Sequence, residues 1–289
     1  MTDLREEVSA DRRRELLDAA LELADLCAET TASIVDSGFE VSKKADDSLV
    51  TTADVETERA FRTRIEERFP DMGLLGEELG ESNPGADLRW IIDPIDGTAE
   101  FARHLPVYGC IIGLHYKQQP LLGVIDHQAL GIRCHAAYRL GAFANGERVR
   151  IDDCESGEEG AVARIGLPSL AGFLRPTDAA SVFRAIVDTY PNFRTYHTCY
   201  AHTLAVMGGL DAAMEWHTPL WDLAATQILI EEAGGRYRWL KDTGSPDQGR
   251  FYSAVFGKPA VVDRLAGIIE DALSRFGGDD DVRHSDSDQ

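Results

Sequence analysis

The stretch Trp90-Ile-Ile-Asp93-Pro-Ile-Asp96-Gly-Thr98 decides how this chain is read. Its apolar run, Leu88 to Asp93, is short and bounded by turn residues, as a buried strand is. Two carboxylates stand at the strand's end with Pro94 fixing the turn between them, so both can converge on one point. Gly97 lets backbone approach a ligand closely, and Thr98 offers a hydroxyl and an amide N–H. A helix starting there would add free N–H groups and a dipole, an anion site beside the acids. Clustered carboxylates need a cation, because like charges at close range do not all stay ionised unaided. Oxygen-only ligands select a hard ion, magnesium or manganese, over zinc. Taken alone, the fragment reads first as a surface turn, since Asp, Pro and Gly are ordinary turn residues.

Outward from this stretch the chain alternates α-like and β-like segments, which favours an α/β layered architecture over a bundle or an all-β sandwich. Leu16, Leu17, Ala20, Leu21, Leu23, Ala24 and Cys27 recur at helical spacing and predict an amphipathic helix over 11–36. A polar connector from Phe39 to Asp54 leads to a second helix, with Phe61, Ile65 and Phe69 on one stripe and Pro70 closing it. Residues 108–116 and 121–126 read as further strands, and Asn145-Gly146 marks a hairpin turn. Helices are expected near 176–189, from His202 to Gly208, and from Trp221 to Ala233, where Gly234-Gly235 stops the last one. Arg236–Leu240 then reads as a strand. The acidic, glycine-containing run Asp152–Gly160 divides the chain into lobes 1–151 and 152–276, and the Asp/Ser-rich tail 277–289 is expected to be disordered.

At 289 residues the chain can bury a sizeable core, and its 44% hydrophobic fraction is that of a globular protein. The formal net charge of −21, from 29 basic and 50 acidic residues, argues against nucleic-acid or anionic-membrane binding. That field would also repel an anionic substrate, an objection that bound divalent cations remove locally. The acid excess suits a halophile-like surface and an acidic mesophilic protein alike. Cys27, Cys110, Cys134, Cys154 and Cys199 show no paired spacing, which excludes a zinc pattern and speaks against a disulfide framework. No apolar run reaches membrane-span length and the N-terminus is charged, so a cytoplasmic, soluble protein is expected.

Further acids decide what the central stretch is. Gly76-Glu77-Glu78-Leu79-Gly80 sets two carboxylates in a loop, Asp222 lies in the first turn of an apolar helix, and Asp54 begins the second helix. Singly, these are a solvated loop, a dipole-compensating acid and a helix cap. Together, in this order, they resemble the inositol monophosphatase superfamily. The resemblance rests on Lys44-Ala-Asp-Asp-Ser-Leu-Val-Thr-Thr-Ala-Asp54, Gly76-Glu-Glu78, Asp93-Pro-Ile-Asp-Gly-Thr98, and Trp221-Asp-Leu-Ala-Ala225 with Glu231-Glu-Ala-Gly-Gly235. It implies an α-β-α-β-α sandwich of two lobes, and a magnesium-dependent phosphomonoesterase. By that resemblance Glu77, Asp93 and the Ile95 carbonyl hold a first magnesium ion. Asp93, Asp96 and Asp222 hold a second, and Glu77 faces a third, weaker one, with manganese as an alternative ion. Asp54 and Thr98 then orient the attacking water, with Glu77 beside them, and the Gly97 and Thr98 amides hold the phosphate. Lys44 reads either as a helper or as a solvated loop lysine.

Glu215 matches the position where the family contacts substrate away from the phosphate. A carboxylate there accepts hydrogen bonds from a polyol or pairs with an amine, so it admits inositol 1-phosphate and histidinol phosphate alike. Otherwise it is an exposed strand-end acid. Residues 129–137 and 195–203 resemble the histidinol-phosphatase-like branch, which tilts the expectation toward histidinol phosphate. The sequence departs from both branches at Asp126-His127-Gln128, where a proline-containing turn is common, and His197 and His217 read as partly exposed loop residues. The alternatives are fructose 1,6-bisphosphate or a 3′-phosphonucleotide as substrate, or a noncatalytic binding protein on the same fold. Family likeness also implies a homodimer.

Overall fold

Ser9 opens the first helix: its hydroxyl accepts the Arg12 N–H, and α1 (Ala10–Ser37) follows with Leu16, Ala20, Leu23, Ala24 and Cys27 buried. The computed structural model describes residues 3–44, 48–152, 163–173, 179–240 and 251–276. A short hairpin, β1 (Val41–Lys43) and β2 (Leu49–Thr51), leads into α2 (Thr52–Arg68). Then come β3 (Gly73–Gly76), β4 (Gly80–Ser82), β5 (Leu88–Asp96), the single turn α3 (Thr98–Phe101), β6 (Gly109–Tyr116), β7 (Gln119–His127), β8 (Ile132–Ala137), β9 (Gly141–Ala144) and β10 (Glu147–Arg148). The second half contributes β11 (Ile165–Leu167), α4 (Leu170–Phe173), α5 (Ala179–Thr189), β12 (Arg194–Thr195), α6 (Cys199–Val206), β13 (Ala212–Thr218), α7 (Leu220–Leu223), α8 (Thr226–Glu232), β14 (Arg236–Trp239), β15 (Tyr252–Gly257) and α9 (Pro259–Phe276).

Two sheets form. The first has eight strands in the order β10-β9-β8-β7-β6-β5-β3-β4, antiparallel except where β3 runs parallel to β5. The second has five, in the order β12-β11-β13-β15-β14. Helices α1 and α2 cover one face of the first sheet, and α5 and α9 stand on the far side of the second. Between the sheets α6 and α8 touch both, while α7 sits on β5 and β6. The layers therefore read α-β-α-β-α, as the resemblance implies. One core, holding Trp90, Ile91, Ile111, Ile112 and Ile125, fills the first sheet and extends through Leu223, Ile228 and Phe256. Another, around Phe173, Ile186, Trp216 and Ile269, lies under α5 and α9.

Several expectations are corrected. The central strand does not stop at Asp93: β5 runs on to Asp96, with a register shift against β6 between those two residues. Pro94 sits in that irregular stretch, where its missing N–H costs no ladder bond. The helix expected from Trp221 to Ala233 is two helices, α7 and α8, broken at Ala224-Ala225. The break lies against a hole in the first sheet. Gly113 and Gly123 are cross-strand partners, and a Cβ on either would come within 2.5 to 2.6 Å of the Ala224 carbonyl oxygen or Ala225 Cα. The ring of buried His115 meets the Ala224 carbonyl at 3.0 Å, so the group freed by the break is satisfied. Helix α6 begins at Cys199, earlier than its apolar pattern suggests, and β7 extends through His127, one residue beyond the expected Asp126. The strand expected at Arg236–Leu240 is β14, one residue shorter, the helix expected near 176–189 is described over Ala179–Thr189, and the Asn145-Gly146 turn joins β9 to β10. Apart from Asp152, the lobe boundary Asp152–Gly160 lies outside the described residues, as do the 277–289 tail and Cys154.

Candidate metal centre

The end of β5 places Asp93 and Asp96 beside the first turn of α7, which carries Asp222. One carboxylate oxygen from each of the three lies within 4.8 Å of the others. Asp93 is almost wholly buried, at 2% exposure. Burial pushes its carboxyl well above the ordinary carboxylate range, and the charges of Glu77, Asp96, Asp222 and Asp54 push the same way. Asp222 is raised well above that range for the same first reason, with Asp96 and Glu77 adding to it. Asp96 is pushed up to about 6 by burial, opposed by the backbone N–H of Cys199 and by His202. Three such groups remain jointly ionised only if a cation joins them, since each unpaired buried charge is costly. Their donors are all oxygens, which fits a hard divalent ion and not zinc.

Each acid has a local anchor. Asp93 Oδ1 accepts the Ile95 N–H at 3.0 Å, and the Ile95 carbonyl accepts the Thr98 hydroxyl at 3.3 Å. Asp96 Oδ2 accepts the Cys199 N–H at the start of α6. Asp222 Oδ2 accepts the Thr218 hydroxyl from the end of β13. Gly97 holds φ +95°, and a Cβ there would lie 2.5 Å from Thr198 Cγ2, so the turn after Asp96 requires glycine on both counts.

Asp54 serves two elements at once. Its Oδ2 accepts the Thr51 N–H at 2.7 Å, completing a reciprocal cap on α2, while Oδ1 accepts the Thr98 hydroxyl at 2.9 Å. The carboxyl is raised above its usual range, chiefly by burial. One side chain thus ties the start of α2 to the turn after β5. Glu77 stands in the turn between β3 and β4 and is not one of the convergent trio; its Oε1 meets the Lys44 Nζ at 2.7 Å. Lys44 also reaches Glu78 at 2.7 Å, so it is a half-buried ion-pair partner and not a solvated loop lysine. Burial raises Glu78 to about 7, against the pull of Lys44.

Some supports gave little signal in the sequence. Glu58, fully buried on α2, accepts the N–H groups of Glu78 at 2.7 Å and Leu79 at 3.1 Å, and holds their turn in place with Arg62. Thr218 and Cys199 belong to the same class: polar groups whose partners are far off in sequence or carry no motif. Glu215 is not a strand-end acid but lies within β13, opposite Ala254, with its side chain only 13% exposed. His127 is buried, with Nδ1 2.8 Å from the Tyr108 carbonyl and Nε2 3.0 Å from the Thr203 hydroxyl. His197 is exposed, and His217 stacks on Phe251 at 4.4 Å.

A five-layer α-β-α-β-α fold with an oxygen-only acidic cluster at the end of a central strand defines a class of metal-dependent phosphatases. The sequence model of the inositol monophosphatase family matches residues 12–263. A histidinol-phosphatase of Chlorobaculum parvum is 36% identical over 220 residues, covering 76% of this chain and 83% of that protein. One from Mycobacterium tuberculosis is 36% identical over 233 residues, covering 80% and 89%. Among solved structures, an inositol monophosphatase from Zymomonas mobilis superposes with a TM-score of 0.75 at 24% identity, over 91% of this chain and 99% of that one, a likeness of fold. The chain belongs to the inositol monophosphatase family and is a phosphoric monoester hydrolase. Among the described residues no helix is long and apolar enough to cross a membrane.

Proposed function

We propose that the chain hydrolyses the phosphate monoester of a small amino alcohol or polyol, with histidinol phosphate favoured. The observation that carries this reading is the convergence of Asp93, Asp96 and Asp222 within 4.8 Å at the end of β5. Those three, with Glu77 and the Ile95 carbonyl, are the groups that would hold two or three magnesium ions, manganese being the alternative. Such ions, when bound, neutralise phosphate charge and lower the pKa of water. The chain's own residues do the rest. Thr98, its hydroxyl fixed by Asp54 and the Ile95 carbonyl, is placed to orient the attacking water, and Asp54 can take up a proton through it. The Gly97 and Thr98 N–H groups, at the start of α3, are the phosphate donors. Glu215 meets the alcohol portion. Phosphoryl transfer arranged in this way needs positioning and charge neutralisation and no covalent nucleophile.

Two relatives of 36% identity that are named histidinol-phosphatases favour an amine-bearing ester. Inositol 1-phosphate is the second reading, because the Glu215 carboxylate accepts from hydroxyls as well as from an ammonium. A cytoplasmic homodimer, carried by family likeness alone, completes the proposal, and the net charge of −21 supports the absence of nucleic-acid or anionic-membrane partners. The test is magnesium-dependent phosphate release from histidinol phosphate, inositol 1-phosphate, fructose 1,6-bisphosphate and a 3′-phosphonucleotide. Fastest release from histidinol phosphate is expected. Preference for either of the last two, or no release from the first two despite magnesium binding, overturns the substrate reading.

A further inference from the structure

His202 lies on α6 with 1% exposure, and both of its ring nitrogens are engaged. Nδ1 is 2.8 Å from the hydroxyl of Thr226, itself fully buried at the start of α8. Nε2 is 3.1 Å from Glu215 Oε1. The ring's edge meets Phe256 of β15 with centroids 4.9 Å apart, so packing also fixes its plane. Since an ionised carboxylate only accepts, Nε2–H is the donor in this pair. Three elements, α6, α8 and β15, therefore hold one imidazole, and that imidazole holds one oxygen of Glu215. Glu215 in turn stands close enough to Asp96 and Asp222 for its charge to act on both. With Oε1 engaged, Oε2 is the oxygen left to accept from a ligand.

We propose that His202 is a positioning residue that fixes the Glu215 carboxylate for the ammonium or hydroxyl groups of the substrate's alcohol portion, and so sets selectivity among phosphate esters. This rests on the reading of Glu215 as a substrate contact. A carboxylate on a flexible stem loses rotamer freedom when it binds, and a partner that has already fixed it removes that cost before the ligand arrives. Glu215 alone would give affinity for many polar alcohols; Glu215 held at one angle discriminates between them.

The test compares kcat/KM for histidinol phosphate with kcat/KM for p-nitrophenyl phosphate, whose leaving group offers nothing to a carboxylate. His202→Leu is expected to lower this ratio by about tenfold or more, the worth of one hydrogen bond to a charged group, and chiefly through KM. His202→Gln, whose amide N–H can replace Nε2–H, is expected to restore most of the ratio. Thr226→Val, which releases the ring without changing its size, falls between them. A ratio unchanged in His202→Leu, an equal loss on both esters, or a glutamine variant no better than leucine overturns the proposal. Should His202→Leu fail to fold, the pair of His202→Gln and Thr226→Val decides, and a wild-type ratio in Thr226→Val overturns it. If Glu215→Gln keeps the wild-type ratio, the substrate reading of Glu215 falls, and this inference with it. A low ratio in Glu215→Gln beside a wild-type ratio in both His202 variants overturns the role of His202 alone.

Discussion

Asp96 combines a strand end, a contact to another helix and a place in the acidic trio. Its carboxyl is pushed up to about 6, and those of Asp93 and Asp222 stand well above the ordinary range, in each case through burial first. Between the ordinary carboxylate range and these raised values, the three groups bind more protons in the metal-free folded protein than in the unfolded chain. Their contribution to stability therefore falls as pH rises through that window and grows as pH drops. Cation binding runs in the opposite sense, since it needs the carboxylates ionised and expels their protons. Magnesium affinity is accordingly expected to fall by about tenfold or more between about pH 8 and about pH 5.5. Calorimetric titration in two buffers of different ionisation heat would show proton release on binding at the lower pH. An affinity independent of pH, with no proton released, would contradict the assignment of these residues as ligands.

Helix α7 shows how an element can be placed by glycines it never touches in sequence. The Gly113–Gly123 pair leaves room for Ala224-Ala225, and His115 satisfies the carbonyl exposed there. Burial lowers the His115 ring to about 4, so it is neutral near pH 7. Gly123→Ala would drive a methyl group to 2.6 Å from Ala225 Cα, a backbone atom that cannot swing aside. The expected cost is about 1–3 kcal/mol of stability in urea unfolding. It should be accompanied by weaker magnesium binding, because α7 carries Asp222. A variant of unchanged stability and affinity would show that the fit is looser than the geometry indicates. The same element marks where sequence reading stops. Residues 221–233 carry helical periodicity throughout, and nothing local announces the break, since its cause lies on β6 and β7. The start of α6 is hidden similarly: Thr198 caps it at φ +71°, a conformation disfavoured for a β-branched residue and held by contacts to Val107 and Gly97. By contrast α1, α2 and the core of β5 follow from apolar spacing and punctuation within their own residues.

Across the whole molecule, the acids come from separate places: Asp93 and Asp96 from the first sheet, Asp222 from the layer between the sheets, and Glu77 from a turn at the first sheet's edge strands. Their types and order were legible because each sits beside a recognisable strand end, loop or helix start. Their supports, Glu58, Thr218, Cys199, His115 and His202, were not, because each acts on a residue from another element. A cation binding only the folded arrangement should stabilise it by mass action, about 2.7 kcal/mol at a hundredfold excess over Kd. For a chain of this size that raises Tm by roughly 5 °C or more, and Asp222→Asn should lose most of the rise. A Tm indifferent to magnesium would count against a site shared between layers. The most direct test of the central claim is phosphate release by Asp96→Asn at saturating magnesium and histidinol phosphate, with folding checked by circular dichroism. The amide keeps an oxygen for the Cys199 N–H while removing the ligand charge, so the variant should fold normally and lose activity by at least about a hundredfold. Near-normal turnover by a folded Asp96→Asn would contradict the account.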